Sequence, residues 1–486
     1  MALDAKYLSD AKIEQLAEQV ATYLAERGVE VRHRGMLKSL EAAGARIDKA
    51  GAVVRFPREV QERALQSAPR SFSMYAADRE PGAAAGLPIP HPSGGFYTCT
   101  GTGARGYEDP ESGEHRNLRI ADVQLWGRLA TALQNIDLCA FPTPTDVPPQ
   151  TADVHSLCAL LQSTGKHVWI QPHTEQTLPF LLELCSARAG GTARLKARPP
   201  AGIIACALTP FRFKAMDIEV LLQAGEYGLP VHASSLPVIG GTAPISTSGT
   251  VLIAAIEVLA MVIMTQIVHP GHPVFALATS LAMDMRSGRA LKACPEAMQA
   301  NAAAAAFIKR AYDLPVHTAG LSSDAGNAGG QAQVQHSLYA YMVAASGAAI
   351  IGRAGELEAA KTFSPLQLVI DEEIFAAVRR LRGLQIDFRS EQKCAAWEDI
   401  LDLKAGGHFL ETIHTLRHCG EAFQPRLFTD PSREAGTVRA ANGLIDRARD
   451  RLHDVLAVSK APDIAASRLE AMKQIVAEAD RCCRIA

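Results

Sequence analysis

Gly320-Leu-Ser-Ser-Asp-Ala-Gly-Asn-Ala-Gly-Gly-Gln331 follows the apolar run Leu314-Pro-Val-His-Thr-Ala319 and precedes a helix-like run from Ala332 to Ala345. A loop this rich in glycine and serine, set between a strand and a helix, lets backbone approach a ligand closely. Variants of the arrangement recur along the chain. Strand candidates are Phe96–Thr100, Asp137–Phe141, His167–Gln171, Gly202–Leu208, Pro230–Ser234, Pro273–Thr279, Pro315–Ala319 and Ala348–Gly352. Helical candidates lie at 119–134, 151–164, 175–188, 214–227, 247–268, 295–312, 329–346 and 365–382. Eight strands alternating with eight helices is the count of a (β/α)8 TIM barrel. A doubly wound open sheet shares the alternation. The count, and the lack of Gly-x-Gly-x-x-Gly after the first strand, favour the barrel.

The barrel is expected over 94–386. Residues 1–93 read as an α+β cap: a helix from Asp10 to Arg27, a hairpin over Arg46–Phe56, a helix opened by Pro57 and a strand at Phe72–Ala76. Arg79 to Gly95 is rich in Gly, Pro and Ala and reads as a linker. Residues 387–486 are expected to be helical, with Trp397, Phe409, Leu416 and Phe423 packing onto the barrel.

Across 486 residues, 48% hydrophobic and 21% charged content are ordinary for a globular chain, and a net charge of −2 offers no argument for nucleic acid or an anionic membrane. The ten cysteines are scattered without a Cys-x-x-Cys pair, and the start lacks an apolar signal segment. A reducing cytoplasm is the expected compartment. Thr250 to Val268 is almost wholly apolar, but Glu257 and Gln266 interrupt it. A buried barrel helix is expected there, not a membrane span.

In such barrels the chemistry lies at the C-terminal strand ends. Those ends supply Gly101-Thr-Gly103, Thr143 with Asp146, Gln171 with His173, Thr209, Ser235, Asp284, Ser323 with Asp324, and Glu356. No nucleophile–base pair stands out. Asp324 and Glu356 are the candidates for acid, base or cation partner, or else they cap the following helices. Gly240, Gly241 and Thr242 could hold an anion before the long helix. Alternatively, they make a tight connection with Ser246 or Ser248 as N-cap. Aromatic faces at the mouth could meet a quaternary ammonium, with Phe96, Tyr97, Phe141, Trp169, Phe211 and Phe275 as candidates. His408, His414 and His418 form the densest histidine cluster, but no known ligand signature surrounds them, and no metal is expected.

Further pieces, in order, carry a family resemblance: Tyr107-Glu-Asp-Pro-Glu-Ser-Gly-Glu-His-Arg116, Ile239-Gly-Gly-Thr-Ala-Pro-Ile-Ser-Thr-Ser-Gly249, His269-Pro-Gly-His-Pro-Val274, Asp284-Met-Arg-Ser-Gly288, Ala354-Gly-Glu-Leu357 and Gly407-His-Phe-Leu410. The chain resembles the trimethylamine methyltransferase family. The resemblance implies a (β/α)8 barrel that moves a methyl group from an amine to the cobalt of a corrinoid (cobalamin) carried by a partner protein, with no tightly bound cofactor of its own. The reduced cobalt is then the nucleophile, which agrees with the missing triad. Members acting on trimethylamine carry pyrrolysine; this chain has only standard residues and resembles the branch of glycine betaine methyltransferases. The implied partners are a small quaternary amine and a corrinoid-binding protein, with homo-oligomerisation open. The expected substrate contacts are Phe96, Tyr97, Trp169, Gln171, Phe275, His317, Ser323, Gln331 and Arg353, with Asp324 and Glu356 catalytic. The rival readings are a metal-dependent lyase or aldolase-like barrel, and a barrel that binds a betaine without turning it over.

Overall fold

Eight parallel strands close into a barrel in a computed structural model, which describes residues 8–48, 50, 52–77, 86–383, 388–390, 393–394, 396–428 and 443–483. The strands are β1 (Tyr97–Thr100), β2 (Leu138–Ala140), β3 (His167–Ile170), β4 (Ala201–Cys206), β5 (Val231–Ser235), β6 (Val274–Ala278), β7 (Val316–Ala319) and β8 (Ile350–Ala354). Each pairs with the next in sequence, and β8 pairs with β1 at Ile350↔Tyr97 and Ile351↔Thr98. Nearly every strand residue is buried on both faces, so the strands read as continuous apolar runs without alternation. The helices are α1 (Ile120–Ala132), α2 (Ala152–Ser163), α3 (Leu178–Ala189), α4 (Ala215–Tyr227), α5 (Thr247–Val268), α6 (Pro295–Tyr312), α7 (Gly330–Ala345) and α8 (Pro365–Gly383).

Helix α5 is the apolar segment singled out in the sequence. It lies between β5, β6 and α6 on one side and the helices Asp10–Glu26 and Arg58–Ser67 on the other. Most of its apolar stretch is buried inside the protein. Its two polar interruptions are satisfied. Glu257 accepts from Thr209 Oγ1, Ser235 Oγ and the Phe211 N–H, and Gln266 bridges His272 O and the Gly271 N–H.

The N-terminal residues serve two places: Val29–Val31, Arg46–Asp48 and Val53–Arg55 form a sheet with Arg212–Phe213 in the loop after β4, and the strands at 72–74 and 87–89 close the base of the barrel. The strand pair Phe72–Met74 and Leu87–Ile89 packs Met74 and Ile89 against Tyr97, Leu138, Phe275 and Ile350. Phe72 meets the Phe275 ring edge-on at 5.0 Å, and Tyr97 Oη donates to Pro88 O at 3.1 Å. The span expected as a linker lies partly outside the described residues, and its described part contributes the Leu87–Ile89 strand.

Two small sheets stand above the strand ends. One joins the loops after β1 and β8, pairing Gly106–Glu108, His115–Asn117, Glu356–Leu357 and Thr362–Phe363. The other joins the loops after β5 and β6.

Among the C-terminal residues, Leu444–Val458 packs on α8 and α1, and Ala466–Cys482 packs on α3 and α2. The expectation that Trp397, Phe409, Leu416 and Phe423 pack onto the barrel fails: all four side chains are exposed. Backbone bonding at the end of this segment holds it instead. The buried Glu373 carboxylate on α8 accepts from the N–H groups of Arg426, Leu427 and Phe428 at 2.8–3.0 Å. Replacing Glu373 by Ala orphans three amides at once. Hydrogen bonds to a charged group contribute about 1.5–3 kcal/mol each where buried, so a loss of about 2 kcal/mol or more is expected. Limited proteolysis should cut faster between 396 and 428; unchanged cleavage and an unchanged denaturation midpoint would refute this anchoring.

Candidate active site at the barrel mouth

At the end of β8 the strand loses its regular register between Ile351 and Ala354. Arg353 there adopts φ +86°, a left-handed conformation rare for a residue with a side chain, and Gly355 follows at φ +80°. A side chain at 355 would meet Trp126 at 2.3 Å, so the turn requires glycine. The turn delivers Glu356 into the protein, fully buried. Gly101, at the end of β1, leaves room for it, since a Cβ there would lie 2.2 Å from Glu356 Cγ.

A buried carboxylate is costly unless paired. Glu356 Oε1 accepts from the Thr102 N–H at 2.9 Å and from Arg353 Nη1 at 3.2 Å. Lys292 Nζ lies 3.6 Å from Oε2, which receives no hydrogen bond. Burial pushes the Lys292 ammonium down to about 8, against the pull of Glu356. Two cations thus face one carboxylate.

Asp324 serves this cluster from a distance. Its carboxylate accepts from the Lys292 N–H at 2.8 Å and the Ala293 N–H at 3.0 Å, fixing the backbone from which Lys292 reaches in. The loop around it is tethered along its length. Gly320 and Leu321 donate to Gly352 O, and Ala359 and Glu358 donate to Ser323 O and Ala325 O. Ser323 Oγ donates to Gln335 Oε1 at 2.7 Å, and the Ala328 N–H reaches Glu108 Oε1 at 3.3 Å. Glu358, Ala359 and Ala360 hold left-handed φ of 51°, 56° and 72° opposite it. Three such residues in a row persist only where surrounding contacts over-determine them.

Beneath the cluster, side chains fill the barrel. His232 and His317 approach through their Nδ1 atoms at 3.1 Å, and the Trp169 ring lies 4.9 Å from that of His317. Gly202 and Gly352 make room for the two imidazoles. Burial holds both neutral, His317 at about 3 and His232 well below its ordinary value. The Arg353 guanidinium sits 5.6 Å from the Trp169 ring centroid. Trp169 Nε1, His232 Nε2, Thr279 Oγ1, Ser280 Oγ and Ser322 Oγ are buried without hydrogen-bond partners, as is Glu356 Oε2. Buried polar groups are ordinarily satisfied; this set belongs to strands or strand ends around the barrel. A hollow of about 260 Å³ opens at the ends of β3 and β4, lined by Gln171, His173, Cys206, Lys214 and Asp217. Thr102 Oγ1 lies 3.4 Å from Gln171 Oε1, which links the hollow to Glu356.

Several sequence expectations are relocated. Phe96 faces the helices, against Phe375 and under Arg379. Tyr97 and Phe275 lie at the base with the Leu87–Ile89 strand, because they stand at the N-terminal ends of β1 and β6. Trp169 does lie beneath the cluster, but Arg353 takes its face. The expected aromatic cage is therefore not assembled. Gly240 and Gly241 donate their amides to Ala243 O and Val238 O, and Thr242 Oγ1 accepts from the Val238 N–H. The loop is a tight turn, and Ser246 is the N-cap of α5. Gln331 is exposed on the first turn of α7. His317 and Ser323 are buried and engaged within the protein. Asp146 and Asp284 hold local turns or caps. His408, His414 and His418 lie on the exposed segment, and among the described residues no metal-holding cluster of His, Cys, Asp or Glu forms. Gln171, Arg353, Glu356 and, through Lys292, Asp324 are brought together. Lys292 and Glu108 were missed. The only sequence signal for Lys292 is a lone lysine in the apolar stretch before α6.

The family model described as Trimethylamine methyltransferase (MTTB) matches residues 3–482. The chain belongs to the trimethylamine methyltransferase family. It is a methyltransferase, and the lyase reading is set aside. Trimethylamine methyltransferase MttB of Methanosarcina barkeri (strain Fusaro / DSM 804) is 27% identical over 95% of this chain and 92% of its own. Glycine betaine methyltransferase of Desulfitobacterium hafniense (strain Y51) is 25% identical, covering 86% of each chain. Among solved structures, the Methanosarcina barkeri monomethylamine methyltransferase is similar over 98% of this chain and 93% of that one, at 12% identity and a TM-score of 0.48.

Lys292 gives the mouth a titratable charge. Its folded pKa of about 8 lies below its ordinary value, so the mouth loses one positive charge as pH rises through about 8. The stability sign is opposite: burying the charged form opposes folding below about 8, and that penalty fades as pH rises towards the unfolded pKa. Affinity of the mouth for a carboxylate ligand should therefore fall above pH 8 while stability does not. Lys292→Arg should move the fall to higher pH; a profile unchanged in that variant would remove Lys292 from the binding charge. Gly101→Ala, which displaces Glu356, should reduce kcat/KM at least about tenfold, measured beside a thermal melt.

Proposed function

We propose that this methyltransferase takes a methyl group from a carboxylate-bearing quaternary amine, of the glycine betaine, proline betaine or carnitine type, and delivers it to a corrinoid on a partner protein. The observation that carries the reading is the pair of cationic side chains that converge on one carboxylate at the mouth. Lys292 and Arg353 both turn to Glu356, while the oxygens of the Asp324 carboxylate are turned to two backbone amides. Two cationic side chains converging on one carboxylate retain donors that suit a second carboxylate, that of a substrate. The named activity of the glycine betaine methyltransferase relative points the same way.

The corrinoid, in its reduced form, supplies the nucleophile at cobalt. The methyl carbon–nitrogen bond breaks with its electron pair left on nitrogen, and a neutral tertiary amine departs. No general acid is required for that departure. Arg353 and Lys292 hold the substrate carboxylate. Asp217 lines the adjoining hollow, buried by α4, with Oδ2 lacking a hydrogen bond and 3.8 Å from Lys214 Nζ. A quaternary nitrogen has no N–H to donate, so a carboxylate oxygen of this kind complements it by charge alone. Burial raises the Asp217 pKa, and a substrate cation would draw it back down. The chain's task is to hold the methyl group in line with the acceptor and exclude water. A wide, flat acceptor needs clearance above the strand ends. Gly326 and Gly330, on the loop after β7, have open space where side chains would stand.

The direct test is methyl transfer to reduced cobalamin from a panel of betaines and methylamines. Transfer is expected from a betaine, with little from trimethylamine. Efficient transfer from trimethylamine and none from any betaine would reverse the substrate reading, and tight betaine binding without transfer would favour a binding role. Arg353→Gln should raise KM for the betaine about tenfold or more, the usual worth of a charge-assisted pair.

A further inference from the structure

At the opposite end of the barrel, between its underside and the N-terminal residues, lies a cavity of about 450 Å³. Arg70, His91, Lys309, Arg310 and Arg382 line it, together with backbone at the starts of β7 and β8. Among its described lining residues there is no carboxylate. A second hollow of about 240 Å³ adjoins it, sharing His91 and Arg382 and adding Arg379.

Basic residues at helix C-termini often serve only to offset the helix dipole. Part of this cluster does so. Arg70 donates to Leu65 O and Ala68 O, and Arg382 to Ala344 O. The helix ends are, however, also capped from within. Ser346 caps Val343 O, the Gly347 N–H reaches Ala344 O and the Asp313 N–H reaches Lys309 O. The acids that pair with Lys309 and Arg310 are turned to solvent: Asp313 is 65% exposed and Asp10 83% exposed, whereas Arg379 of the adjoining hollow is paired with the half-buried Asp137. The two exposed pairs are screened and weak, and neither of their acids lines the cavity. Burial, then Arg379, lowers the His91 pKa, against the pull of Asp137. A cleft with low-dielectric walls lined by one sign of charge concentrates counter-ions. Its volume lies in the range of small-molecule sites.

We propose that this basal cavity binds a small phosphate-bearing polyanion, at a site separate from the mouth. Its lining touches the C-terminal ends of α6 and α7 and the last turn of α8. The N-terminal ends of these helices follow the loops that carry Lys292, Asp324 and Glu356.

The test is calorimetric titration of the full chain with inorganic tripolyphosphate at constant ionic strength. Saturable binding at one site is expected. It should weaken at least about tenfold in Lys309→Glu and remain unchanged in Lys473→Glu, an exposed lysine of the Ala466–Cys482 helix. Thermal melts check that each variant is folded, and Arg70→Gln replaces Lys309→Glu if that chain fails to fold. Competition by ATP or by a sugar bisphosphate would support the site and identify the source of the phosphate. Absence of saturable heat at millimolar tripolyphosphate, or equal binding in Lys309→Glu and Lys473→Glu, would overturn the proposal.

Discussion

A single buried carboxylate, Glu356, organises the mouth of this barrel. It is withdrawn from water entirely, and desolvating such an ion carries a penalty of several kcal/mol. Three groups answer it from three parts of the chain: the Thr102 amide after β1 and Arg353 at the end of β8 by hydrogen bonds, and Lys292 before α6 by charge. Each imposes its own local demand. Thr102 needs Gly101 beside it, Arg353 needs a left-handed backbone at the irregular end of β8, and Lys292 needs Asp324 to fix its backbone.

Because Glu356 also begins a strand of the small sheet above the mouth, the network reaches into the loops. That sheet carries Glu108, which meets the loop after β7, and the left-handed run Glu358 to Ala360, which bonds to the same loop. The glycine- and serine-rich loop is therefore a tethered element, and only its tip at Gly326 and Asn327 and its end at Gly330 and Gln331 are exposed. Catalytic preorganisation depends on this kind of support, since donors that need not reorganise stabilise charge best.

The barrel was legible because its strands are short, apolar and buried on both faces, each ending in turn-forming residues, and the helices between them are long enough to read by period. The site was legible only where a residue sits at a strand's C-terminal end, as Gln171, Arg353, Asp324 and Glu356 do. The aromatic candidates failed on direction. Phe96 and Tyr97 stand at or before the start of β1 and Phe275 near the start of β6, which places them at the base or on the outer face. Strand polarity was available from the βα order and would have excluded them. Lys292 follows the long loop after β6, and its inward reach depends on two backbone bonds to Asp324 that no local pattern encodes. Glu108 lies in a hairpin whose partner strand comes from the far end of the barrel.

The central claim is that Lys292 and Arg353, gathered around Glu356, read a carboxylate on the substrate. It is tested most directly by calorimetry comparing glycine betaine with tetramethylammonium at pH 7, below the Lys292 transition of about 8. The two share the quaternary nitrogen and differ in the carboxylate. Binding of glycine betaine at least about tenfold tighter, a difference of about 1.4 kcal/mol, is the predicted result. Equal affinity, or tighter binding of tetramethylammonium, would contradict the account.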